Sequence, residues 1–123
     1  MIKIFLIEDH AHTQQLLRTL LELEGYQVIT PSLPDPQKIV GLIHEQHPAI
    51  VILDAHLREF SGFEILASLR KSSLEFQPKV ILTSGEDLGV ESYRAGADAF
   101  LLKPFAPEKL LNLIKSLAIP QGS

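Results

Sequence analysis

The chain has no cysteine. Disulfides, thiolate metal centres and cysteine nucleophiles are therefore excluded, and a small disulfide-stapled secreted scaffold is disfavoured. No apolar run approaches the roughly 20 residues of a membrane span, and the first residues form a strand-like segment rather than a signal-peptide pattern. A soluble, cytoplasmic protein with no membrane partner is the expectation. Basic residues are too few for a phosphate-binding surface: 11 Lys and Arg against 15 Asp and Glu give a net charge of −4, which argues against direct nucleic-acid binding. Internal repeats and low-complexity segments are absent. The 46% hydrophobic and 21% charged content of the 123 residues excludes bulk disorder and suits one domain with a real core.

What is present is an alternation of strand-like and helix-like segments. Four apolar runs end on residues able to do chemistry. Ile2 to Ile7 leads into Glu8-Asp9, Ile50 to Leu53 into Asp54, Lys79 to Leu82 into Thr83-Ser84, and Ala99 to Leu102 into Lys103-Pro104. Tyr26 to Thr30 reads as a short edge strand. The unbroken apolar character of Ile50 to Leu53 is that of a parallel strand covered on both faces.

Between these runs lie helical patterns. Leu16, Leu17, Leu20 and Leu21 open the first, which stops at Gly25. Asp35 caps the second and Pro36 fits its first turn, with Ile39, Val40 and Ile43 facing inward. Ser61-Gly62-Phe63-Glu64 reads as a capping box before a helix that buries Phe63, Leu66 and Leu69. Glu86 to Arg94 is a weaker helix, with Gly89 inside it and a thin apolar stripe. Leu110, Leu111, Ile114, Leu117 and Ala118 form a strong stripe after Pro107. Five strands and five helices in strict alternation predict a three-layer α/β/α sandwich around a parallel sheet. Residues 1–119 are expected to form the domain and 120–123 a tail or linker stub.

Open sheets of this kind carry their sites at the carboxyl edge of the strands. Glu8, Asp9 and Asp54 would converge there, and carboxylates so close need a cation between them. Mg2+, or Mn2+ in its place, suits an all-oxygen set that also leaves room for a phosphate oxygen. The plainer alternative, that Glu8 and Asp9 merely cap the next helix, leaves Asp54 unexplained. An aspartate closing the most apolar strand is costly unless paired or exposed at its mouth. It can also act as a nucleophile and form an aspartyl phosphate. Lys103 would meet the incoming phosphoryl oxygens as a point charge, and Thr83 would offer a hydroxyl.

In these features the chain resembles the response-regulator receiver domain of two-component signalling. Carrying the resemblance are Glu8-Asp9, Asp54, Gly62 eight residues later, Thr83-Ser84, Gly96-Ala97-Asp98 and Lys103-Pro104-Phe105. Four motifs in order, each at a strand end, cover nearly the whole chain. The resemblance implies a flavodoxin-like sheet of order 2-1-3-4-5, with Asp54 as phosphoacceptor for a sensor histidine kinase, a histidine phosphotransfer protein or a small phosphodonor. It implies Asp9 as a direct Mg2+ ligand, Glu8 acting through a metal-bound water, and the His56 backbone carbonyl completing the set with Asp54. Thr83 and Lys103 would hold the phosphoryl group, and Phe100 stands at the aromatic switch position.

The expected function is a phosphorylation-dependent switch rather than an enzyme acting on other molecules. The weak fourth helix, last strand and last helix would change to address an unknown effector domain or output protein, or to form a phosphorylation-dependent homodimer. Departures from the family are Arg58 in place of its usual proline and Phe100 in place of its frequent tyrosine. His56 and Gly85 occupy positions where the family tunes dephosphorylation. Competing readings are weaker. An aspartyl-nucleophile phosphatase places a second aspartate where this chain has His56, and a flavodoxin has a Ser/Thr/Gly-rich loop where it has Glu8-Asp9-His10-Ala11-His12. A binding module that has abandoned phosphate would not need the acids, Thr83 and Lys103 together. The five histidines show no metal-ligand spacing on one face.

Overall fold

The computed structural model describes residues 1–32, 35–72 and 76–118. Its elements follow the expected alternation: β1 (Lys3–Ile7), α1 (Ala11–Leu23), β2 (Gln27–Ile29), α2 (Pro36–Gln46), β3 (Ile50–Asp54), α3 (Gly62–Lys71), β4 (Lys79–Ser84), α4 (Gly89–Arg94), β5 (Ala99–Leu102) and α5 (Pro107–Ala118). All strands are parallel, in the order β2-β1-β3-β4-β5. The expected tail at 120–123 lies outside the described residues. Among the described residues no helix is long and apolar enough to cross a membrane.

Strand alternation divides the core into two layers. Phe5, Ile7, Val51, Leu53, Val80 and Leu82 face α2 and α3, meeting Ile39, Ile43, Ile65, Leu66 and Leu69. Ile4, Leu6, Ile50, Ile52, Ile81 and Leu101 face the opposite way, onto Leu21 of α1 and Leu110 and Ile114 of α5. Each fully buried Leu or Ile contributes roughly 1.5–3 kcal/mol, so the central strands, buried at every position from Ile50 to Asp54, anchor the sheet.

Local chemistry sets the helix ends. The Asp35 carboxylate accepts from Lys38 N at 2.8 Å, with Pro36 in the first turn. Ser61 Oγ accepts from Phe63 N at 3.0 Å. The other half of the expected capping box is not formed among the described residues, and Glu64 points to solvent. The inner face of α1 is also rotated from expectation: Leu21 is buried, whereas Leu16 is 59% exposed, because Gln14 and Leu17 share the inward stripe. The fourth helix starts at Gly89 rather than Glu86. The preceding residues are held instead by turn bonds from Glu86 N to Ser84 Oγ (3.0 Å) and from Gly89 N to Asp87 Oδ1 (3.4 Å). Its single buried residue is polar: Ser92 returns its hydroxyl to Leu88 O at 2.6 Å.

Candidate functional site

The chain leaves β1 outward to β2 and then crosses back to β3, so the strand order reverses between β1 and β3, where such sheets open a crevice. Glu8 and Asp9 follow β1, and Asp54 is the last residue of β3. Asp54 pairs in register with Thr83 of β4, and Lys103 follows β5. Thr83 is buried like Asp54. Lys103 Nζ lies 2.8 Å from Asp54 Oδ2 and 3.5 Å from both carboxylate oxygens of Glu8.

Burial makes these charges interact strongly, since Glu8 is 3% and Asp54 4% exposed. The two acids are pushed in opposite directions. Burial first, and Asp54 next, push the Glu8 carboxyl up to about 8, against the pull of Lys103. Burial acts the same way on Asp54 but is outweighed. Hydrogen bonds from Glu8, Lys103 and the His56 amide hold its carboxyl below the usual value. Burial disfavours the Lys103 ammonium too, yet pairing with Asp54 keeps its pKa above the ordinary lysine value. Both shifts favour an ionised Asp54 beside a protonated Lys103.

Backbone contacts set the aim of Asp54. The His56 amide donates to Oδ1 at 2.9 Å, and Ala55 N bonds Thr83 O at 2.9 Å. Gly62 passes so close that a Cβ there would sit 2.2 Å from Asp54 O and 3.0 Å from Ala55 Cα. This explains a glycine eight residues after the phosphoacceptor candidate: α3 must start against the end of β3. Lys103 N bonds Ser84 O at 2.8 Å, and the Lys103–Pro104 peptide is cis.

The neighbours are arranged as a rim. Arg58 N donates to Asp9 Oδ2 at 2.5 Å, a bond that proline at this position could not make. His56 Nε2 lies 3.2 Å from Glu86 Oε1, spanning the β3–α3 and β4–α4 loops on the exposed side. A Cβ at Gly85 would meet nothing within 4 Å, so the rim is open there. Phe100 pairs in register with Leu82, one step before Thr83, and packs with the core layer on the α3 side. It lies beneath the start of α4: a Cβ at Gly89 would sit 3.7 Å from its ring.

Two residues join the site without having been singled out. His10 places Nδ1 3.4 Å from Glu8 Oε1 and 3.5 Å from Asp9 Oδ1. Gln14 Nε2 holds Glu8 O at 2.8 Å. His10, rather than either acid, is the N-cap of α1, and it makes no side-chain cap bond. Histidine spacing alone could not have identified His10, because its partners are the two residues before it.

Two carboxylates and one imidazole stand together here, and the oxygens of Glu8 and Asp9 are the donors that a hard divalent cation prefers. Glu8, Asp9 and His10 each present a ligand atom within 4.8 Å of the others. Asp9 Oδ1 is buried without a hydrogen-bond partner among the described residues, a costly state that a cation would relieve.

Comparison with known proteins agrees with this geometry. The family model described as "Response regulator receiver domain" matches residues 4–115. The chain is 32% identical over 117 residues to "Probable transcriptional regulator ycf27" of Porphyridium aerugineum, covering 94% of this chain and 47% of that protein. It is 28% identical over 117 residues to "Cell cycle transcriptional regulator CtrA" of Caulobacter vibrioides, covering 94% and 50%. The chain thus spans about half the length of the curated relatives it matches. Among solved structures, the N-terminal domain of the nisin resistance regulator NsrR is 26% identical with a TM-score of 0.81, covering 97% of this chain and 99% of that one. The Francisella response regulator 1452 receiver domain shares the fold with a TM-score of 0.84 at 23% identity, covering 96% and 97%.

Proposed function

The chain belongs to the response regulator receiver domain family of two-component signalling, and from that premise we propose that Asp54 accepts a phosphoryl group from a histidine kinase, a histidine phosphotransfer protein or a small phosphodonor. The observation that carries the reading is the buried, ionised Asp54 with Lys103 Nζ 2.8 Å from Oδ2. Asp54 needs no base. Its Oδ2 attacks phosphorus, the bond from phosphorus to the donor's imidazole nitrogen or carboxylate oxygen breaks, and that group departs. Lys103 is 26% exposed on a flexible stem, so its ammonium moves from Oδ2 to a phosphoryl oxygen as the new bond forms. Thr83 offers its hydroxyl to another oxygen. Positioning and neutralisation are the main requirements of such a transfer.

Glu8, Asp9, Asp54 and the His56 carbonyl are the proposed protein ligands of Mg2+, or Mn2+, with Glu8 acting through water. Bound there, the ion would neutralise the acids and supply charge stabilisation to the transferring group. Its binding would favour the ionised form of Glu8, whose carboxyl is otherwise pushed up.

The response belongs to α4 and its neighbours. α4 is six residues long and buries one serine, so few contacts oppose its movement. Movement of Thr83 toward the phosphoryl group leaves space for Phe100 to turn, and α4 rests on Phe100. The changed α4-β5-α5 face then addresses an effector domain, an output protein or a second copy. His56, Arg58 and Gly85 set the lifetime of the phosphoryl group through access to the rim. Residues 1–119 are the proposed receiver unit.

The test is incubation with Mg2+ and acetyl phosphate or beryllofluoride, followed by NMR of Phe100 and residues 86–94, with Asp54→Ala as control. Shifts that require Asp54 support the switch. Shifts that persist in Asp54→Ala, or none in wild type, sink it.

A further inference from the structure

The two oxygens of Asp9 are in different states. Oδ2 accepts from Arg58 N at 2.5 Å, while Oδ1 is buried with no hydrogen-bond partner among the described residues and has only His10 Nδ1 near it, at 3.5 Å. The donor is a backbone amide on the β3–α3 loop, 49 residues away in sequence. Here Leu57, Arg58, Glu59 and Phe60 wall a cleft of about 150 Å3 with Asp9. The Arg58 side chain contributes little beside it: its Nε is 4.0 Å from the same oxygen and the side chain is 77% exposed, where an ion pair is weak.

We propose that the backbone amide of Arg58 is a positioning group for Asp9, committing Oδ2 to the loop so that Oδ1 alone faces a divalent cation. This rests on the reading of the acidic cluster as a cation site. A neutral amide orients the carboxylate without cancelling its charge, as outer partners of metal ligands do. The consequence is selectivity. A carboxylate with one oxygen tied back binds through the other only, which suits the small octahedral Mg2+. Ca2+ has longer bonds and readily takes both oxygens of a carboxylate. The loop after β3 thus favours Mg2+ through a main-chain atom.

The experiment is calorimetric titration of wild type, Arg58→Ala and Arg58→Pro with MgCl2 and with CaCl2, with thermal melting of each cation-free protein recorded alongside. Alanine keeps the amide and loses the guanidinium, whereas proline loses both. Arg58→Ala is expected to bind both cations much as wild type does. Arg58→Pro is expected to lose about 10-fold in Mg2+ affinity and less in Ca2+ affinity, narrowing the preference. Equal binding by the proline and alanine variants overturns the inference. Absence of cation binding by wild type overturns the cation site itself, a separate result. If Arg58→Pro does not fold, the amide proton of residue 58 decides. It moves upfield in Asp9→Ala if the bond exists, and an unmoved signal refutes the proposal.

Discussion

Lys103 and Asp54 are 49 residues apart in sequence, and their Nζ and Oδ2 atoms are 2.8 Å apart. The same ammonium reaches both oxygens of Glu8 at 3.5 Å, so one cation serves two buried acids that a divalent ion would otherwise neutralise. On the proposed reading, Lys103 and Mg2+ would compete for these acids.

Lys103→Ala should therefore act in opposite directions with and without metal. The cation-free protein loses a charge-assisted hydrogen bond and becomes less stable by roughly 1.5–3 kcal/mol. Mg2+ binds the variant more tightly than wild type. Urea denaturation with and without Mg2+ measures both effects.

The Glu8 carboxyl, pushed up to about 8 from an ordinary 4.5, gives a pH dependence of defined sign. A raised carboxyl stabilises the fold fully below its ordinary value and loses that contribution as pH rises through about 8. Asp54, held low, acts oppositely: its contribution is present above its ordinary 3.8 and lost as pH falls further. The cation-free urea midpoint should decline from mildly acidic to alkaline solution, and the decline should flatten in Glu8→Gln. Mg2+ affinity should rise with pH toward about 8, with proton release on binding at neutral pH. Titrations in buffers of different ionisation enthalpy count those protons.

Gly62→Ala should harm both fold and site. The new Cβ meets the backbone of Asp54 and Ala55, not a movable side chain. A cost at or above the upper end of about 1–3 kcal/mol is expected, with weaker Asp54 phosphorylation. Denaturation and acetyl phosphate labelling are the readouts.

Asp98→Ala should loosen the entry to β5. Asp98 Oδ2 accepts from Val80 N at 2.8 Å and from Arg70 Nη2 at 3.0 Å, while Arg70 Nε also ties down Gly96 O at 3.0 Å. Val80 is fully buried, so its amide loses a partner at a cost of about 1–3 kcal/mol. Faster hydrogen exchange at Val80 N, spreading to residues 97–100, is the expected signature.

Legibility in the sequence followed the range of the forces involved. The stripe of Leu110 and Ile114 and the cap of Asp35 are local, and both appear as expected. The half-made box at Ser61 and the rotated face of α1 are not local. Glu64 faces water, and Gln14 was drawn inward by the main chain of Glu8. His10 escaped notice because its role depends on the turn after β1, not on spacing. The same is true of Glu86, whose carboxylate meets His56 only once two loops are folded side by side.

By itself, the sequence determined the alternation of strands and helices, the polar residue types at each strand end and the family, because periodicity and motif order are properties of the chain. Tertiary structure alone decided that the Glu8 carboxyl is pushed up while that of Asp54 is held low, that Oδ1 of Asp9 has no hydrogen-bond partner among the described residues, and that a loop amide rather than a side chain holds Oδ2. Burial and main-chain donors set those states, and both exist only once β1, β3 and the loop after β3 are packed together.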